Sequence, residues 1–304
     1  MSGLPRLGFL GIGIMGKEMV LRLLERGFPV TVWNLEPERL PLVTAHGAVA
    51  AESPAAVARS CDILCQCVLH AAAVERCCFA EDGVATVPGQ GRLVIDFSTV
   101  NPDDTRRIAG RLAEEAGWRW LDAPVSGGPG PAREGRLTIM AGGDAADLER
   151  ARPVLEALAA NFTHMGPLGM GQTAKIANQA IVGVGYLLMA EVLALVERAG
   201  LDASLLPKAL AGGMADSTVL QRIFPQQQKR DFDPPRSYAR QLDKDLQNVR
   251  RFLTAMGLEL PLVALAVERY HGFAQAHPMA DSASVARLYE AAAGPTRSSA
   301  GGDA

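Results

Sequence analysis

The feature that most constrains this chain is a glycine pattern directly after its first apolar run. Leu7-Gly-Phe-Leu-Gly11 is typical of a β-strand, and the GxGxxG spacing that starts at Gly11 leads into a helix-forming segment. This spacing provides a tight turn, room for a pyrophosphate beside the backbone, and close packing of helix on strand. The free N–H groups at the helix N-terminus then face the phosphates. The pattern predicts a dinucleotide-binding loop of Gly11, Ile12, Gly13, Ile14, Met15 and Gly16.

The N-terminal part of the chain alternates short β-rich runs with segments of helical period. The runs are almost continuously apolar, which is typical of strands buried on both faces of a parallel sheet. We therefore expect an α/β fold with a Rossmann-type, doubly wound, mostly parallel sheet. The predicted strands are Leu7–Gly11, Val30–Trp33, Ile63–Val68, Leu93–Asp96, Trp118–Ala123 and Thr138–Ala141.

From Gly169 onward helix formers dominate, and no run is typical of a strand. A first helix, from about Gln172 to about Arg198 with Gly200 as its C-cap, is long enough at about 1.5 Å per residue to join two domains. We expect a dinucleotide-binding domain at residues 1–168, an all-helical substrate and dimerisation domain at 169–293, and a disordered, small and polar tail at 294–304.

The long helix is apolar, but polar side chains such as Lys175, Asn178 and Glu191 interrupt it. It therefore resembles a buried core helix more than a membrane span. Gly183 and Gly185 lie inside it, where each glycine costs about 1 kcal/mol relative to alanine. They indicate close approach of another helix or a second subunit, or they are simply tolerated.

Composition is that of an ordinary soluble globular protein, with 48 % hydrophobic residues, 21 % charged residues and a net charge of −3 over 304 residues. So small a charge produces no field that would attract nucleic acid. The N-terminus enters a strand without the features of a secretory signal. We expect a cytoplasmic protein that binds neither nucleic acid nor membrane.

All five cysteines lie between Cys61 and Cys78. Their odd number and clustering argue against a secreted disulfide framework. The spacing of Cys61, Cys65 and Cys67 is also compatible with a metal clip, but the surrounding apolar run favours buried reduced thiols. We therefore predict no metal site.

The residue after the second strand, which usually sets the choice of ribose, is Asn34. An acidic residue there would bind the 2′-hydroxyl of NAD, and an arginine would attract the 2′-phosphate of NADP. Asn34 is predicted to contact the cofactor but decides neither case, while Glu36 would repel a phosphate and Arg39 could bind one. The balance favours NAD and leaves NADP open.

Four separated motifs stand out along the chain: the glycine loop with Met15, Asp122-Ala-Pro-Val-Ser-Gly-Gly128, Gly169-Met-Gly-Gln-Thr-Ala-Lys-Ile-Ala-Asn-Gln179, and Lys244-Asp-Leu246. Together they resemble those of the β-hydroxyacid dehydrogenases, the group of 3-hydroxyisobutyrate dehydrogenase, tartronate semialdehyde reductase, and the plant glyoxylate and succinic semialdehyde reductases. The resemblance spans about residues 6 to 290. It implies an oxidoreductase that moves a hydride between NAD(P) and a small carboxylated aldehyde or hydroxy acid.

Hydride reduction of a carbonyl leaves an alkoxide that must gain a proton. Lys175 is the predicted general acid, and the same amine acts as the base in the oxidation direction. Its neighbours Ala174 and Ile176 indicate a covered helix. Asn178 and Gln179 share its helix face and are predicted to orient its ammonium group or to bind substrate oxygens.

Ser126, Gly127 and Gly128 follow an apolar strand, and their hydroxyl and backbone N–H groups can bind a carboxylate. They predict a small anionic substrate, with Ser126 also assigned to catalysis. The resemblance adds Asp245 as a substrate residue. It also suggests Tyr238 in place of a phenylalanine that the family often carries.

Val68, Leu69 and Thr99 end or follow strands at the carboxyl edge, where open α/β sheets bind their ligands. They are predicted to contact the cofactor, and the resemblance adds Lys244. Near Tyr238, Arg236 and Arg240 either bind a second acidic group of the substrate or are solvated. Their presence leaves the substrate open among glyoxylate and several semialdehydes and hydroxy acids.

Other functions remain possible at this stage. The chain could be a dinucleotide-binding sensor or assembly module without turnover, which Lys175 opposes, or an imine reductase, which both Lys175 and the Ser-Gly-Gly segment oppose. A 6-phosphogluconate dehydrogenase would need a longer helical region. We expect a homodimer or homotetramer.

Overall fold

The computed structural model describes residues 3–290. Its strands are β1 (Leu7–Leu10), β2 (Val30–Trp33), β3 (Val49–Ala50), β4 (Ile63–Gln66), β5 (Leu93–Asp96), β6 (Arg119–Asp122), β7 (Val125–Ser126), β8 (Leu137–Gly142) and β9 (Ala159–Gly166). Its helices are α1 (Ile14–Glu25), α2 (Pro41–Thr44), α3 (Pro54–Ser60), α4 (Ala71–Phe79), α5 (Pro102–Ala116), α6 (Pro129–Glu134), α7 (Ala145–Leu158), α8 (Met170–Arg198), α9 (Leu206–Leu210), α10 (Thr218–Gln228), α11 (Ala239–Ala255) and α12 (Pro261–Ala276). Short 3₁₀ helices lie at Pro37–Arg39, Val84–Thr86, Ala203–Leu205 and Ser282–Tyr289.

The strands form one sheet in the order β3-β2-β1-β4-β5-β6-β8-β7, with β9 paired to β8. All pairings from β3 to β6 are parallel, whereas β8 runs antiparallel to β6 and β7. The strand order reverses between β1 and β4, and such a switch point is where doubly wound sheets bind ligands. The predicted Rossmann-type, mostly parallel sheet is confirmed.

Every predicted strand is present, with ends that differ by no more than two residues. β3, β7 and β9 were not predicted. β3 and β7 contain two residues each, too few to show a pattern. β9 is an edge strand whose residues are mostly exposed, so its sequence shows no apolar run.

Two apolar clusters cover the two faces of this sheet. One packs α1 and α7 against it, with Phe9, Met19 and Leu155 fully buried. The other packs α3, α4 and α5 on the opposite face around Trp118. Except in α1, the first turns of these helices are capped by side chains such as Asn101 at the N-cap of α5, and capping fixes where a helix starts.

The chain divides into two compact units. One comprises the residues up to Gln179 together with Asp245–Leu258, and the other comprises Ala180–Lys244 and the residues from Glu259 on. Helices α8 and α11 each contribute residues to both units. The predicted division at residue 168 stays a prediction, and the predicted tail at 294–304 lies outside the described residues.

The second unit is helical, with one isolated β-bridge between Tyr238 and Asp281 in its described part. On α8, a methyl group at Gly185 would lie 3.0 Å from Val219 of α10. The close approach that the glycines suggested is therefore made there by another helix of the same unit. Gly200 follows α8 with a positive φ of 76°, as expected of a C-cap.

Helix α8 is long and apolar enough to cross a membrane by length and composition alone. One such helix is weak evidence, because core helices of soluble proteins meet the same criterion. The side chains of Ile176, Leu187 and Leu193 are buried.

All five cysteines are free. Four are buried, and burial raises the pKa of the Cys61 and Cys77 thiols to about 12. Cys67 departs from the prediction, because it lies beyond the end of β4 and is only half-buried. The described residues include no cluster of three or more histidine, cysteine, aspartate or glutamate side chains able to hold a metal ion.

A row of buried polar side chains crosses the carboxyl end of the sheet. Gln66, Asp96 and Asp122 lie on β4, β5 and β6 in register, and none is exposed. Burial raises the pKa of Asp96 to about 7, although the Ser98 N–H donates to its Oδ1 at 3.0 Å. The nearby charge of Asp122 adds to the shift. Ionisation of Asp96 near neutral pH therefore lowers the stability of the folded protein.

This cost predicts how stability depends on pH. An aspartate with a pKa near 7 in the folded state and about 3.9 in the unfolded state lowers the free energy of unfolding of the protein as the pH rises between these two values. Asp96→Asn keeps the acceptor for Ser98 and removes the charge. The free energy of unfolding of the variant minus that of the wild type should therefore increase by about 2 to 3 kcal/mol from pH 5 to pH 8.

Urea unfolding at both pH values tests this, followed by tryptophan fluorescence. Trp33, Trp118 and Trp120 are the only tryptophans of the chain and all lie in the first unit. A wild type and an Asp96→Asn variant with the same pH dependence would contradict the assignment.

Candidate active site

The N-terminus of α8 is held by a buried carboxylate. Asp122, at the end of β6, accepts hydrogen bonds from the backbone N–H groups of Gly169 at 2.8 Å and Gln172 at 2.7 Å. These donors have no partner within a helix, so the carboxylate satisfies them and complements the helix dipole. Burial raises the pKa of Asp122 to about 6 even though these bonds lower it. Asp122 thereby fixes the start of α8 against the sheet.

Lys175 lies one turn further along α8. Its side chain is buried, with 6 % exposure, and its Nζ donates to the carbonyl oxygen of Val125 at 2.8 Å. Val125 precedes Ser126 on β7. The structure therefore brings the predicted proton donor next to the predicted carboxylate-binding segment, although 49 residues separate Lys175 from Ser126 in sequence.

A chain of side-chain hydrogen bonds extends from the same helix face. Asn178 Nδ2 donates to Gln179 Oε1 at 2.7 Å, and Gln179 Nε2 donates to Asp245 Oδ2 at 2.7 Å. Asp245 lies on α11, in the part of that helix that belongs to the first unit. Gln179 is 6 % exposed. Three predicted site residues from two helices are thus linked.

The segment Ser126-Gly127-Gly128 is half-buried and has an unusual backbone. Gly127 has a φ of 134° and Gly128 a φ of 84°, a region that favours glycine. A methyl group at Gly128 would meet no protein atom within 4 Å. The segment therefore presents its backbone to open space at this point.

The glycine loop connects β1 to α1 as predicted. Gly11 has a φ of 98°, and a methyl group at Gly16 would overlap the carbonyl oxygen of Gly11, so both positions require glycine. At Gly13 a methyl group would meet no atom within 4 Å. Gly13 is the N-cap of α1 and uses no side chain to cap it. The loop thus leaves free N–H groups beside open space, which fits a bound pyrophosphate.

Asn34 supports this loop from the end of β2. Its Oδ1 accepts from the Ile12 N–H at 2.7 Å, and its Nδ2 donates to the backbone oxygen and to Oε2 of Glu36, both at 2.9 Å. Arg39 Nη1 donates to the Ile12 oxygen at 3.4 Å. Asn34 is buried, so its side chain orders the loop and Glu36 and has little surface left for a ribose.

Two further loops meet at the same edge of the sheet. Ser98 Oγ accepts from the Val68 N–H at 2.9 Å, which ties the segment after β4 to the segment after β5. Val68 packs against Gly11. Thr99 is half-buried and Leu69 is 43 % exposed. The predicted cofactor residues of β1, β4 and β5 are therefore brought together.

Tyr238 and Lys244 fall in the second unit. The Tyr238 N–H donates to Gln241 Oε1, and the Arg240 guanidinium stacks 5.6 Å from its ring centroid. Arg236 forms an ion pair with Asp231. The roles predicted for Tyr238 and Lys244 stay predictions.

Two residues that shape the site escaped the sequence analysis. Asp122 and Gln172 lie within two of the sequence motifs, but the motifs alone predicted no role for them. The available signal was a polar residue where an apolar strand ends, for Asp122, and a glutamine among alanines at the start of a covered helix, for Gln172. Neither signal names the partner, because the partners lie about 50 to 75 residues away in sequence.

Comparison with known proteins agrees with this geometry. Residues 6–166 match the family described as the NAD binding domain of 6-phosphogluconate dehydrogenase, and residues 169–289 match that described as NAD-binding of NADP-dependent 3-hydroxyisobutyrate dehydrogenase. The chain is 38 % identical to 2-hydroxy-3-oxopropionate reductase of Escherichia coli strain K12 over 88 % of this chain and 90 % of that protein.

Among solved structures, the chain is similar to 3-hydroxyisobutyrate dehydrogenase of Mycobacterium tuberculosis with L-serine. The TM-score is 0.84 at 32 % identity, covering 95 % of this chain and 100 % of that one. An imine reductase from Pseudomonas sp. is more distant, with a TM-score of 0.62 at 21 % identity over 94 % and 99 % of the two chains. That likeness shows a shared fold alone.

The glycine loop yields a matched pair of variants. Gly13→Ala adds a methyl group in open space at a φ of −77°, so the protein should keep its thermal stability and lose affinity for NADH. Gly16→Ala forces α1 away from Gly11, so it should lower both the melting temperature and the affinity.

Thermal melts without cofactor and titration of NADH fluorescence measure the two effects separately. If Gly13→Ala bound NADH as tightly as wild type, the pyrophosphate would not lie against this loop.

Proposed function

The chain belongs to the β-hydroxyacid dehydrogenase family, and from that membership we propose that Lys175 transfers the proton while a hydride passes between NAD(P) and a small carboxylated aldehyde or hydroxy acid. The protein is an NAD(P)-dependent oxidoreductase, like its relatives among the dehydrogenases and reductases. The observation that carries the proposal is the position of Lys175, buried and bonded to Val125 beside the Ser126 segment.

Bound NAD(P)H would supply the hydride, and the other requirements fall on the residues of this chain. The product oxygen needs a proton as charge develops on it. The Lys175 ammonium group can donate that proton, and in the oxidation direction the neutral amine accepts it. Burial excludes bulk water from Nζ, which strengthens its electrostatic effect on the reacting oxygen.

The proposed carboxylate site is Ser126, Gly127 and Gly128. Their backbone N–H groups and the Ser126 hydroxyl are donors, and the positive φ angles of the two glycines allow the backbone to turn toward a ligand. We assign Ser126 to both substrate binding and catalysis. A small anionic substrate fits donors of this kind better than a neutral one.

Asn178, Gln179 and Asp245 form the proposed orienting chain. Because Gln179 is held by Asp245, the Gln179 carbonyl is turned toward Asn178. These amides can hold substrate oxygens beside Lys175, with Asp245 fixing their orientation. Tyr238 and Lys244 remain proposed contacts for the substrate and the cofactor.

For the cofactor we propose a preference for NAD over NADP. Asn34 holds the Glu36 carboxylate at the end of β2, and a carboxylate there repels a 2′-phosphate. Arg39, bonded to the Ile12 oxygen, acts in the opposite direction. Binding of NADH and NADPH should be compared in parallel.

A binding module without turnover is the second candidate. It is opposed by Lys175, since a sensor needs no buried amine beside a carboxylate site. Purified protein that binds NADH but oxidises it with no semialdehyde would support the binding module.

The direct test is Lys175→Met. With a semialdehyde substrate identified in a panel screen at the reduced-nicotinamide absorbance, kcat should fall by about 10² to 10⁴-fold, the usual contribution of a general acid. Affinity for NADH should be unchanged, because Lys175 holds no part of the glycine loop.

Lys208→Met is the matched control, because Lys208 is an exposed lysine outside the site. It should leave kcat unchanged. Full activity in Lys175→Met would remove the basis of the proposed mechanism.

We also propose that a second copy of the chain covers part of α8. Ile181, Leu188 and Leu195 lie seven residues apart on one helix face and are 48 to 70 % exposed. An antiparallel pair centred on Leu188 would place Ile181 of one copy opposite Leu195 of the other. A two-fold interface needs such self-complementarity.

Leu188→Glu should therefore lower the mass measured by size-exclusion chromatography with light scattering. Leu42→Glu, at a similarly exposed leucine on α2, should not change it. A wild-type monomer at micromolar concentration would refute the proposal.

The bacterial dehydrogenase relatives support a soluble protein, and we propose a cytoplasmic location. Five free cysteines are consistent with a reducing compartment.

A further inference from the structure

Gln172 is a buried polar residue that the mechanism above does not use. It is fully buried at the start of α8, three residues before Lys175. Its Nε2 donates to the Ser98 oxygen at 2.8 Å, and its Oε1 accepts from the Val100 N–H at 3.2 Å. The side-chain amide therefore binds the backbone on both sides of Thr99.

The backbone of Gln172 is equally restrained. Its N–H donates to Asp122 Oδ2, and the preceding Gly171 packs so closely on Asp122 and Met140 that a methyl group there would overlap their backbone oxygens. Position 172 thus cannot slide along the end of β6. Because both its main chain and its side chain are held, Gln172 acts as a rigid connection.

That connection joins the two groups whose separation matters for the reaction. On one side is Thr99, in the loop that follows β5 at the predicted cofactor-binding edge of the sheet. Ser98 links this loop to Val68. On the other is Lys175, less than one helical turn away on the same segment of α8. A shift of α8 relative to the Thr99 loop would move the amine relative to the cofactor edge.

We propose that Gln172 is a positioning residue that sets the distance between the proton donor Lys175 and the cofactor loop at Thr99. The inference rests on the proposed role of Lys175. Gln172 touches neither substrate nor cofactor, and it acts by keeping the reacting groups in register. A displacement of about 1 Å can reduce a rate by about 100-fold, so such a residue affects kcat more than binding.

The test is Gln172→Leu, which preserves much of the volume and removes both side-chain bonds. We expect kcat to fall by about 10 to 100-fold. The KM of the substrate and the affinity for NADH should change little. The primary deuterium isotope effect on kcat, measured with 4-deuterated NADH, should rise, because hydride transfer becomes slower than product release.

Gln227→Leu is the matched control. Gln227 is also fully buried, and its Nε2 donates to the Tyr186 oxygen at 3.0 Å within the second unit. It should lower the melting temperature while leaving kcat and the isotope effect of the folded protein unchanged. If Gln172→Leu behaved like this control, Gln172 would be structural only and the inference would be overturned.

Gln172→Glu keeps the test decisive if the leucine variant does not fold. A protonated glutamic acid can donate to Ser98 and accept from Val100, whereas a carboxylate can do only the second. Asp122, Asp96, Lys175 and the Arg106 guanidinium beside Gly169 are charged groups near this position, and the ratio of variant to wild-type kcat largely cancels their own contribution to the pH dependence.

That ratio should rise as pH falls. A ratio independent of pH, with kcat close to wild type, would overturn the inference. The failure of the proposed function has a different signature, because Lys175→Met would then remain active whatever the Gln172 variants do.

Discussion

The bond between the Asp122 carboxylate and the N-terminus of α8 is the interaction on which the site depends. It buries a charge, and the raised pKa of Asp122 shows that burial outweighs the bonds that favour its ionised form. In return, the carboxylate accepts hydrogen bonds from two N–H groups at the start of α8 and so fixes the position of this helix at the end of β6. Lys175 then points at Val125 because the helix that carries it cannot rotate or slide.

The glycine loop is also held in place by local backbone geometry and a buried polar side chain. Gly11 and Gly16 are required by backbone geometry, whereas Gly13 leaves space. Asn34 lies at the position that usually sets the choice of ribose, and its side-chain amide binds Ile12 and Glu36. Both halves of the site are thus organised by buried polar side chains that bind backbone, a use that local sequence patterns do not reveal.

Much of the fold could be read in advance, since apolar runs and the glycine spacing are local signals. Lys175 was found through a motif that resembles the family and through the need for a proton donor, and Asn178 and Gln179 were found because their spacing places them on its helix face. Asp245 was found through the family resemblance alone. The edge strand β9 was missed because its exposed residues have no pattern. Gln172 was missed because its role depends on Ser98 and Val100, which the chain approaches only after folding.

The amino-acid sequence by itself determined the order of the six strands that show an apolar run, the long helix α8 and the glycine loop, and it predicted Lys175 as the proton donor, because each depends on residues close together in the chain. Tertiary structure alone decided that Asp122 binds the N-terminus of α8, that the Gln172 side chain binds the backbone next to Thr99, and that the pKa of Asp96 is raised to about 7. These properties arise from burial and from partners brought together across the sheet. These side chains lose contact with water and form their hydrogen bonds only when folding brings those distant segments together.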